Sequence, residues 1–282
     1  MAQRIFKWAA GMAAICGLAA GAQAAPLVWT NNAGSPMVQS FDTVTGVRVD
    51  NFNGGGSNGR GIVVVGNFFY TTEASAGIVR KFDRATGTLV SSCTIAGAGG
   101  ISTIGFDGAN FWTSDYAGSN RAYQIDQNCN KLKTITLSQS QGYYDGLEYF
   151  NGKLIANRFD GGARGGNQYS VYDLDGNLLQ ANFIDTTGHG NGTGIAFNGT
   201  DFYIADIFNN RLTIWDGATG AYKSALTLTY SNNVIEDLSF DYAARPDTCR
   251  VNCGVPEPAS LPLVGLALAG AWAIRRRKPA SV

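Results

Sequence analysis

Oxygen-bearing side chains recur at one register of the sequence, each at the end of a stretch with the alternation of a β-strand. The five members are Asn32, Glu73, Asp115, Asn157 and Asp206. Carboxylate and amide oxygens are the ligands that calcium prefers, so a calcium site is one interpretation. Asp and Asn also cap turns by accepting hydrogen bonds from nearby backbone N–H groups. Turn capping is favoured, because a five-fold ring spreads these side chains too far apart for one ion unless they lie near its axis. We therefore predict no cofactor, with calcium as the alternative.

His189 is the only histidine of the chain and lies in the segment TTGHGNGTG. An imidazole titrates near neutral pH and could serve as a general base. One histidine cannot build a three-histidine metal site, and a Ser-His-Asp triad would need this single residue in the correct place. A solvated loop histidine is the favoured interpretation, and we predict no catalytic residue.

A further set of residues has the chemistry of a sugar-binding surface. Aromatic rings stack on the apolar face of a sugar, while acids, amides and guanidinium groups bond its hydroxyls. The residues that we predict to bind such a ligand are Tyr116, Arg121, Tyr143, Tyr144, Asp145, Asp206, Phe208, Asn209 and Arg211. The competing interpretation is that several of them cap turns or pack between structural units.

These residues lie in a repeat whose clearest copy is residues 194–229, GIAFNGTDFYIADIFNNRLTIWDGATGAYKSALTLT. Alternating apolar residues and tight-turn signals predict four short β-strands in each copy. A meander of this size is not stable alone, so the copies must pack face to face around an axis as the blades of a β-propeller. The loops from second to third strand and from blade to blade then share one face, which we call the loop-bearing face. It would carry the predicted ligand residues together with Arg60, His189 and Glu236.

An acid at the end of each third strand measures the repeat. Asp42, Asp83, Asp126, Asp173 and Asp216 follow one another at intervals of 41, 43, 47 and 43 residues. Residues 27–52 match only the last three strands of a unit, and residues 234–241 match only the first. Counting from Asp216 to Asp241 and on from Pro26 to Asp42 gives 42 residues, one further repeat. We predict an all-β propeller of five four-stranded blades over residues 26–242, in which the two ends of the body share a blade.

Both ends of the chain differ from this body. Residues 1–25 contain Arg4 and Lys7, an apolar run and the small residues of a cleavage site, as in a Sec-type signal peptide. Residues 243–254 form a linker with two cysteines, and residues 255–282 contain a short apolar segment at 261–274. This segment is shorter than the about 20 residues that span a bilayer squarely. The alternative interpretations are an N-terminal anchor and a permanent C-terminal anchor.

The charge of the body limits the kinds of partner it can bind, and its cysteine content indicates the cellular compartment. Without the basic residues of the two ends and the acid of the tail, the body has 15 basic and 20 acidic residues, so a nucleic-acid partner is not expected. The even number of cysteines in the body and linker indicates disulfides in an exported protein. Three pairings are open, and we favour Cys93 with Cys129 and Cys249 with Cys253; zinc is the alternative.

The segment YIADIFNNRLTIWDGATG resembles an NHL-type propeller repeat. The resemblance is carried by Asp206, Asn209, Asn210 and Arg211, and the third unit keeps Asp115, Asn120 and Arg121. The second unit has Glu73 without an Asn-Arg pair, and the fourth is interrupted by the glycine-rich stretch 158–168. The likeness spans roughly residues 26–242 and implies a propeller fold.

The C-terminal segment resembles the PEP-CTERM sorting signal of Gram-negative bacteria. The matching features are Pro256, Glu257 and Pro258, the short apolar segment, and the basic cluster of Arg275, Arg276, Arg277 and Lys278. This resemblance implies recognition by an exosortase-like membrane protease, cleavage near the motif, and delivery to the cell surface or the exopolysaccharide matrix.

Three functional classes remain at this point. A surface binding or scaffold protein, with an extracellular polysaccharide as its possible ligand, is the favoured interpretation because no catalytic constellation is evident. The alternative is a metal-dependent hydrolase of the lactonase or lyase kind, which would use channel-facing acids such as Glu148 and Glu236. A sensor domain is disfavoured because no signalling partner is fused to the propeller.

Overall fold

A computed structural model of the protein describes residues 26–116, 119–138, 145–158, 167–229 and 234–244. The predicted signal peptide, most of the linker and the whole C-terminal sorting segment lie outside these ranges. Their proposed boundaries and the Cys249–Cys253 pair therefore stay predictions.

Twenty β-strands form five separate four-stranded antiparallel sheets, and the described residues include one short 3-10 helix, Tyr242–Ala244. Blade 1 contains β20 (Ile235–Ser239), β1 (Leu27–Asn32), β2 (Met37–Asp42) and β3 (Arg48–Asn53). Blade 2 contains β4 (Gly59–Val65), β5 (Phe68–Glu73), β6 (Ala76–Asp83) and β7 (Leu89–Thr94). Blade 3 contains β8 (Ile101–Phe106), β9 (Phe111–Asp115), β10 (Arg121–Ile125) and β11 (Lys131–Thr136). Blade 4 contains β12 (Leu147–Phe150), β13 (Lys153–Arg158), β14 (Gln168–Tyr172) and β15 (Leu178–Asp185). Blade 5 contains β16 (Gly192–Phe197), β17 (Asp201–Asp206), β18 (Arg211–Asp216) and β19 (Tyr222–Thr227).

The prediction of a five-bladed propeller closed by its two ends is confirmed. β20 pairs antiparallel with β1, with Trp29 opposite Ser239 and Asn31 opposite Asp237. The inner strands β20, β4, β8, β12 and β16 contact one another around the axis. No sheet of the ring depends on a partner from outside the body, because the C-terminal strand fills the place that the N-terminal segment leaves open.

Side chains of β20 and of Asp241, two residues after its end, also bond the backbone of the next blade. Asp237 accepts from the N–H of Ile62 at 3.1 Å, the Ser239 hydroxyl accepts from Val64 at 2.9 Å, and Asp241 accepts from Gly66 at 3.0 Å. Alternate residues of a strand point to the same side, so this polar ladder follows from the period of two in the segment DLSFD. The ladder attaches blade 1 to blade 2 at the axis.

Each blade-to-blade interface has its own apolar core. Five clusters of buried residues lie between successive blades, and large rings such as Trp29, Phe69, Phe111 and Phe202 fill them. Both faces of the inner strands are covered, which explains why strands such as β8 and β16 are buried along their whole length.

The five acids of the repeat have the same structural role. Asp42, Asp83, Asp126, Asp173 and Asp216 each accept hydrogen bonds from backbone N–H groups of the turn between third and fourth strand. Every one of these turns contains a residue with positive φ, namely Gly46, Gly87, Cys129, Gly176 and Gly220.

Four of these positions approach the outer strand of the preceding blade so closely that a side chain would collide with it. A Cβ on Gly46 would lie 2.0 Å from the carbonyl oxygen of Thr227, and one on Gly220 equally close to that of Phe183. Blade 3 has Cys129 there, and this residue forms a disulfide with Cys93 of β7 in blade 2. A covalent bond thus occupies the place of a glycine contact, in agreement with the predicted Cys93–Cys129 pairing.

Candidate functional site

The acids and amides at the ends of the second strands are buried and hydrogen-bonded, mostly within their own blades, and Asn157 also donates to the carbonyl of Thr193 in blade 5 at 3.5 Å. Asp115 binds Arg121 at 2.8 Å, Asp206 binds Arg211 at 2.6 Å, and Glu73 binds Arg80 at 3.2 Å. Asn32 and Asn157 bond neighbouring backbone groups instead. The three acids are thus held by arginine side chains, and Asn157 bonds Gly146, which precedes the first strand of its blade. Turn capping by these five residues therefore stays a prediction.

An ion pair lies at the mouth of the channel, where the inner strands begin on the loop-bearing face. Arg60 near the start of β4 contacts Glu236 of β20 at 2.6 Å, and their side chains are 11% and 4% exposed. The guanidinium of Arg60 also donates to the Tyr116 hydroxyl at 3.0 Å and lies over the Tyr116 ring. Beside this pair, Ser102 donates to Asp145 at 2.8 Å. We call Arg60, Ser102, Tyr116, Asp145 and Glu236 the mouth cluster.

Burial dominates the electrostatics of the mouth cluster. It raises the pKa of Glu236 to about 7, although the Arg60 charge acts in the opposite direction. Burial likewise raises the pKa of Asp145, against a hydrogen bond from Ser102 and the charge of Arg60. A single guanidinium therefore faces two carboxyl groups, and a proton on Glu236 near neutral pH lessens their mutual repulsion.

Two further acids lie deeper along the axis. Asp237 accepts from the Thr103 hydroxyl at 2.9 Å as well as from backbone N–H groups of β4 and β8, and burial raises its pKa well above the ordinary value. Glu148 of β12 accepts from the hydroxyl of Tyr242. Both residues connect different blades, so their evident role is to join the inner strands.

Several buried polar atoms near the loop-bearing face have no hydrogen-bond partner among the described residues. They include the donors Arg60 Nε and Arg211 Nε and the acceptors Asn32 Oδ1, Asp115 Oδ1 and Asn167 Oδ1. An unsatisfied buried polar group costs about 1–3 kcal/mol, so donors and acceptors of this kind are typical of a surface that binds water or a polar ligand.

The predicted ligand residues fall into distinct environments. Phe208 is 58% exposed, and next to it the side chain of Asn209 bonds Asp206 at 2.9 Å. Arg211 is partly exposed and also donates to the carbonyl of His189 at 2.7 Å. The guanidinium of Arg121 is half exposed, whereas Asp206 and Asp145 are buried. Tyr116 belongs to the mouth cluster, and Tyr143 and Tyr144 lie outside the described residues.

His189 lies against two aromatic rings rather than near a nucleophile. Its imidazole stacks on Tyr222 with a centroid separation of 3.8 Å and meets the edge of Trp215 at 5.4 Å. In the described parts of the chain, no group of three or more His, Cys, Asp or Glu side chains could hold a metal ion.

Arg60 and Glu236 were predicted to lie on the loop-bearing face but not to bind the ligand. Their ion pair joins residues far apart in sequence, and neither belongs to the NHL-like motif. A local signal existed in the adjacent carboxylates Glu236-Asp237 within an otherwise apolar inner strand, because paired acids are rare in a buried segment.

The chain carries a PEP-CTERM protein-sorting motif at residues 254–278, which confirms that part of the predicted resemblance. This signal indicates an exported protein that is anchored at the cell surface of a Gram-negative bacterium. No curated protein matches the sequence. The described residues include no helix long and apolar enough to cross a membrane, and the apolar segment 261–274 lies outside them.

Solved propeller structures match the body in fold. A chain in the crystal structure of the Nidogen/Laminin complex aligns with a TM-score of 0.54 and 12% identity, over 77% of this chain and 98% of the other. The glutaminyl cyclase of Myxococcus xanthus aligns with a TM-score of 0.50 and 14% identity, over 71% of this chain and 74% of the other. Likeness at this identity shows the fold alone, a β-propeller, and carries no activity over.

Proposed function

We propose that this protein binds an extracellular glycan on its loop-bearing face without cleaving it. The observation that carries the proposal is the group of buried donors and acceptors near that face that have no hydrogen-bond partner among the described residues. The set contains donors and acceptors together, and a hydroxyl group can satisfy either kind. A ligand with many hydroxyls therefore fits this surface better than a purely cationic or anionic one.

Charge and shape support a neutral sugar. The guanidinium groups of Arg60, Arg121 and Arg211 are each paired with a carboxyl group, so they offer directed N–H donors with little net charge. Phe208 supplies an exposed aromatic ring on the same face, and such a ring can stack on the apolar side of a sugar. Export through the Sec pathway, processing by an exosortase-like protease and location among exopolysaccharides belong to the same proposal.

Binding to a glycan array, followed by titration calorimetry with the best ligand, tests the proposal on the exported protein. Phe208→Ala should weaken binding about tenfold, which corresponds to roughly 1.4 kcal/mol for a lost stacking contact. Leu89→Ala is the control, because Leu89 is an apolar side chain of similar exposure, 53%, at the start of the outer strand β7 and away from the loop-bearing face. The double variant Tyr143→Ala with Tyr144→Ala tests the other two predicted aromatic residues. Absence of binding to every glycan, including the polysaccharide of the native host, would contradict the proposal.

A hydrolase of the lactonase or lyase kind is the second candidate, and Glu236 is the observation that favours it. A carboxyl group with a pKa of about 7 can accept and donate a proton near neutral pH. Product formation from lactones or glycans, measured with and without EDTA, separates the two functions. Turnover that stops in Glu236→Gln would establish the enzyme, whereas binding without product supports the first proposal.

A further inference from the structure

A polar groove lies on the face opposite the loop-bearing face, between blades 1 and 2. It encloses about 530 Å³ and is lined by Asp50, Gly66, Asn67, Asp83, Arg84 and Ala85. Asp50 comes from the outer strand β3, and the other residues come from two turns of blade 2. Asp83 keeps one carboxylate oxygen for its turn, while Asp50 accepts from Ser40 at 2.6 Å through one of its oxygens.

The charges at the groove are unequal. Arg84 is held in place by Asp241, by the carbonyl of Gly66 at 3.1 Å, and by the ring of Trp29 beneath it. Its positive charge is therefore already compensated. Arg48 lies two residues from Asp50 on the same strand. The acids Asp50, Asp83 and Asp241 therefore outnumber the arginines Arg48 and Arg84. The groove thus carries an excess of negative charge.

The described chain ends beside this groove. Asp241 accepts from the N–H of Gly66, and a Cβ on Gly66 would lie 3.7 Å from the Cβ of Ala243. The next ten residues are RPDTCRVNCG, in which Arg245 and Arg250 outnumber the single acid Asp247. At about 3.3 Å per extended residue, both arginines are within reach of a cavity that begins next to residue 243.

We propose that the groove between blades 1 and 2 is the docking site for the linker 245–254, with the carboxylates of Asp50 and Asp83 receiving its guanidinium groups. Guanidinium binds carboxylate oxygens in a fixed planar geometry, so two such contacts define a position for the linker on the propeller. The docked linker holds the start of the sorting motif, at residue 254, against this face. The loop-bearing face is then directed away from the sorting segment and stays open to ligands.

Limited trypsin digestion of the full chain, expressed in a host without a sorting protease so that the tail is retained, tests the docking. The informative bond follows Arg250, because a proline after Arg245 makes that site a poor one for trypsin. Asp50→Asn with Asp83→Asn should speed cleavage after Arg250 roughly fivefold, the effect expected for weak surface ion pairs. Asp216→Asn is the matched control, because Asp216 caps the same kind of turn in blade 5 and lies outside the groove. Equal cleavage rates in all three proteins, or equal acceleration in the control, would overturn the proposal.

Hydrogen exchange gives a second readout that does not disturb the propeller. In the full chain with Arg245→Gln and Arg250→Gln, the backbone amides of the groove residues Asn67 and Ala85 should exchange several-fold faster than in the parent. Unchanged exchange in the groove would show that the linker does not dock there and would refute the inference.

Discussion

The rim and the axis of the propeller use acidic side chains in opposite ways. At the rim, five aspartates occupy equivalent turns and accept equivalent backbone hydrogen bonds. At the axis, Asp145, Glu148, Glu236 and Asp237 have no equivalents in the other blades and make four different sets of contacts. Features that repeat therefore maintain the fold, and departures from the repeat mark the candidate site and the joints of the ring.

The pKa values of the rim acids and of the axial acids are shifted in opposite directions. Hydrogen bonds from turn N–H and hydroxyl groups lower the pKa of the rim aspartates, as in Asp42 and Asp83. Burial raises the pKa of the axial acids Asp145, Glu236 and Asp237. Hydrogen bonds in an exposed turn stabilise the charged form of a carboxyl group, whereas burial inside the ring destabilises it.

The largest expected effect is on the axis. Asp237→Ala should lower the free energy of unfolding by about 3 kcal/mol or more, because it removes the acceptor of two backbone N–H groups and of the Thr103 hydroxyl inside the ring. Asp216→Ala, at the rim, should cost clearly less, because water can replace the lost contacts of an exposed turn. Urea unfolding of both variants measures the difference. Equal losses would remove the distinction between rim and axis.

The second prediction concerns the disulfide that joins blades 2 and 3 at the rim. Replacing both cysteines, in Cys93→Ser with Cys129→Ser, should lower stability by about 2–4 kcal/mol, because the unfolded chain is no longer cross-linked. Cys93→Ser with Cys129→Gly should recover about 1 kcal/mol, since glycine adopts positive φ without the strain of a Cβ. Chemical denaturation of the parent and the two double variants measures these differences in stability. If the variant with Cys129→Gly is no more stable than the variant with Cys129→Ser, a glycine contact cannot replace the disulfide at this position.

The smallest expected effect is a change in how the melting temperature depends on pH. The folded pKa of Glu236, about 7, lies above its ordinary value of 4.5, so its contribution to stability is fully present below pH 4.5 and is lost as the pH rises through 7. The rim aspartates have lowered pKa values, so their contribution is present above pH 4 and is lost on acidification below it. Between pH 5 and 8 the melting temperature should therefore fall less in Glu236→Gln than in the parent. Parallel curves for the two proteins would show that Glu236 does not titrate in this range.

Features that recur along the chain could be predicted from the sequence. The interval between turn aspartates predicted the number of blades, and the incomplete units at residues 27–52 and 234–241 predicted the shared blade. The Cys93–Cys129 pairing followed once neighbouring units were assigned. Repeats reveal these features because each blade presents the same local chemistry to its neighbour, so one copy explains the others.

The mouth cluster was harder to predict because its members come from separate blades and each occurs once. Arg60 and Glu236 are 176 positions apart in the numbering, and no local pattern indicates that they form an ion pair. The predicted ligand residues Asp145 and Asp206 are acids of suitable type, but only packing decided that they are buried.

The amino-acid sequence by itself determined the blade count, the closing strand, the turn caps and the sorting motif, because these depend on local periodicity and short-range hydrogen bonds. Tertiary structure alone decided which acids lie on the axis, which guanidinium groups neutralise them, and which aromatic residues remain exposed. Those properties depend on burial and on the distances between blades, and both arise only when the ring has closed.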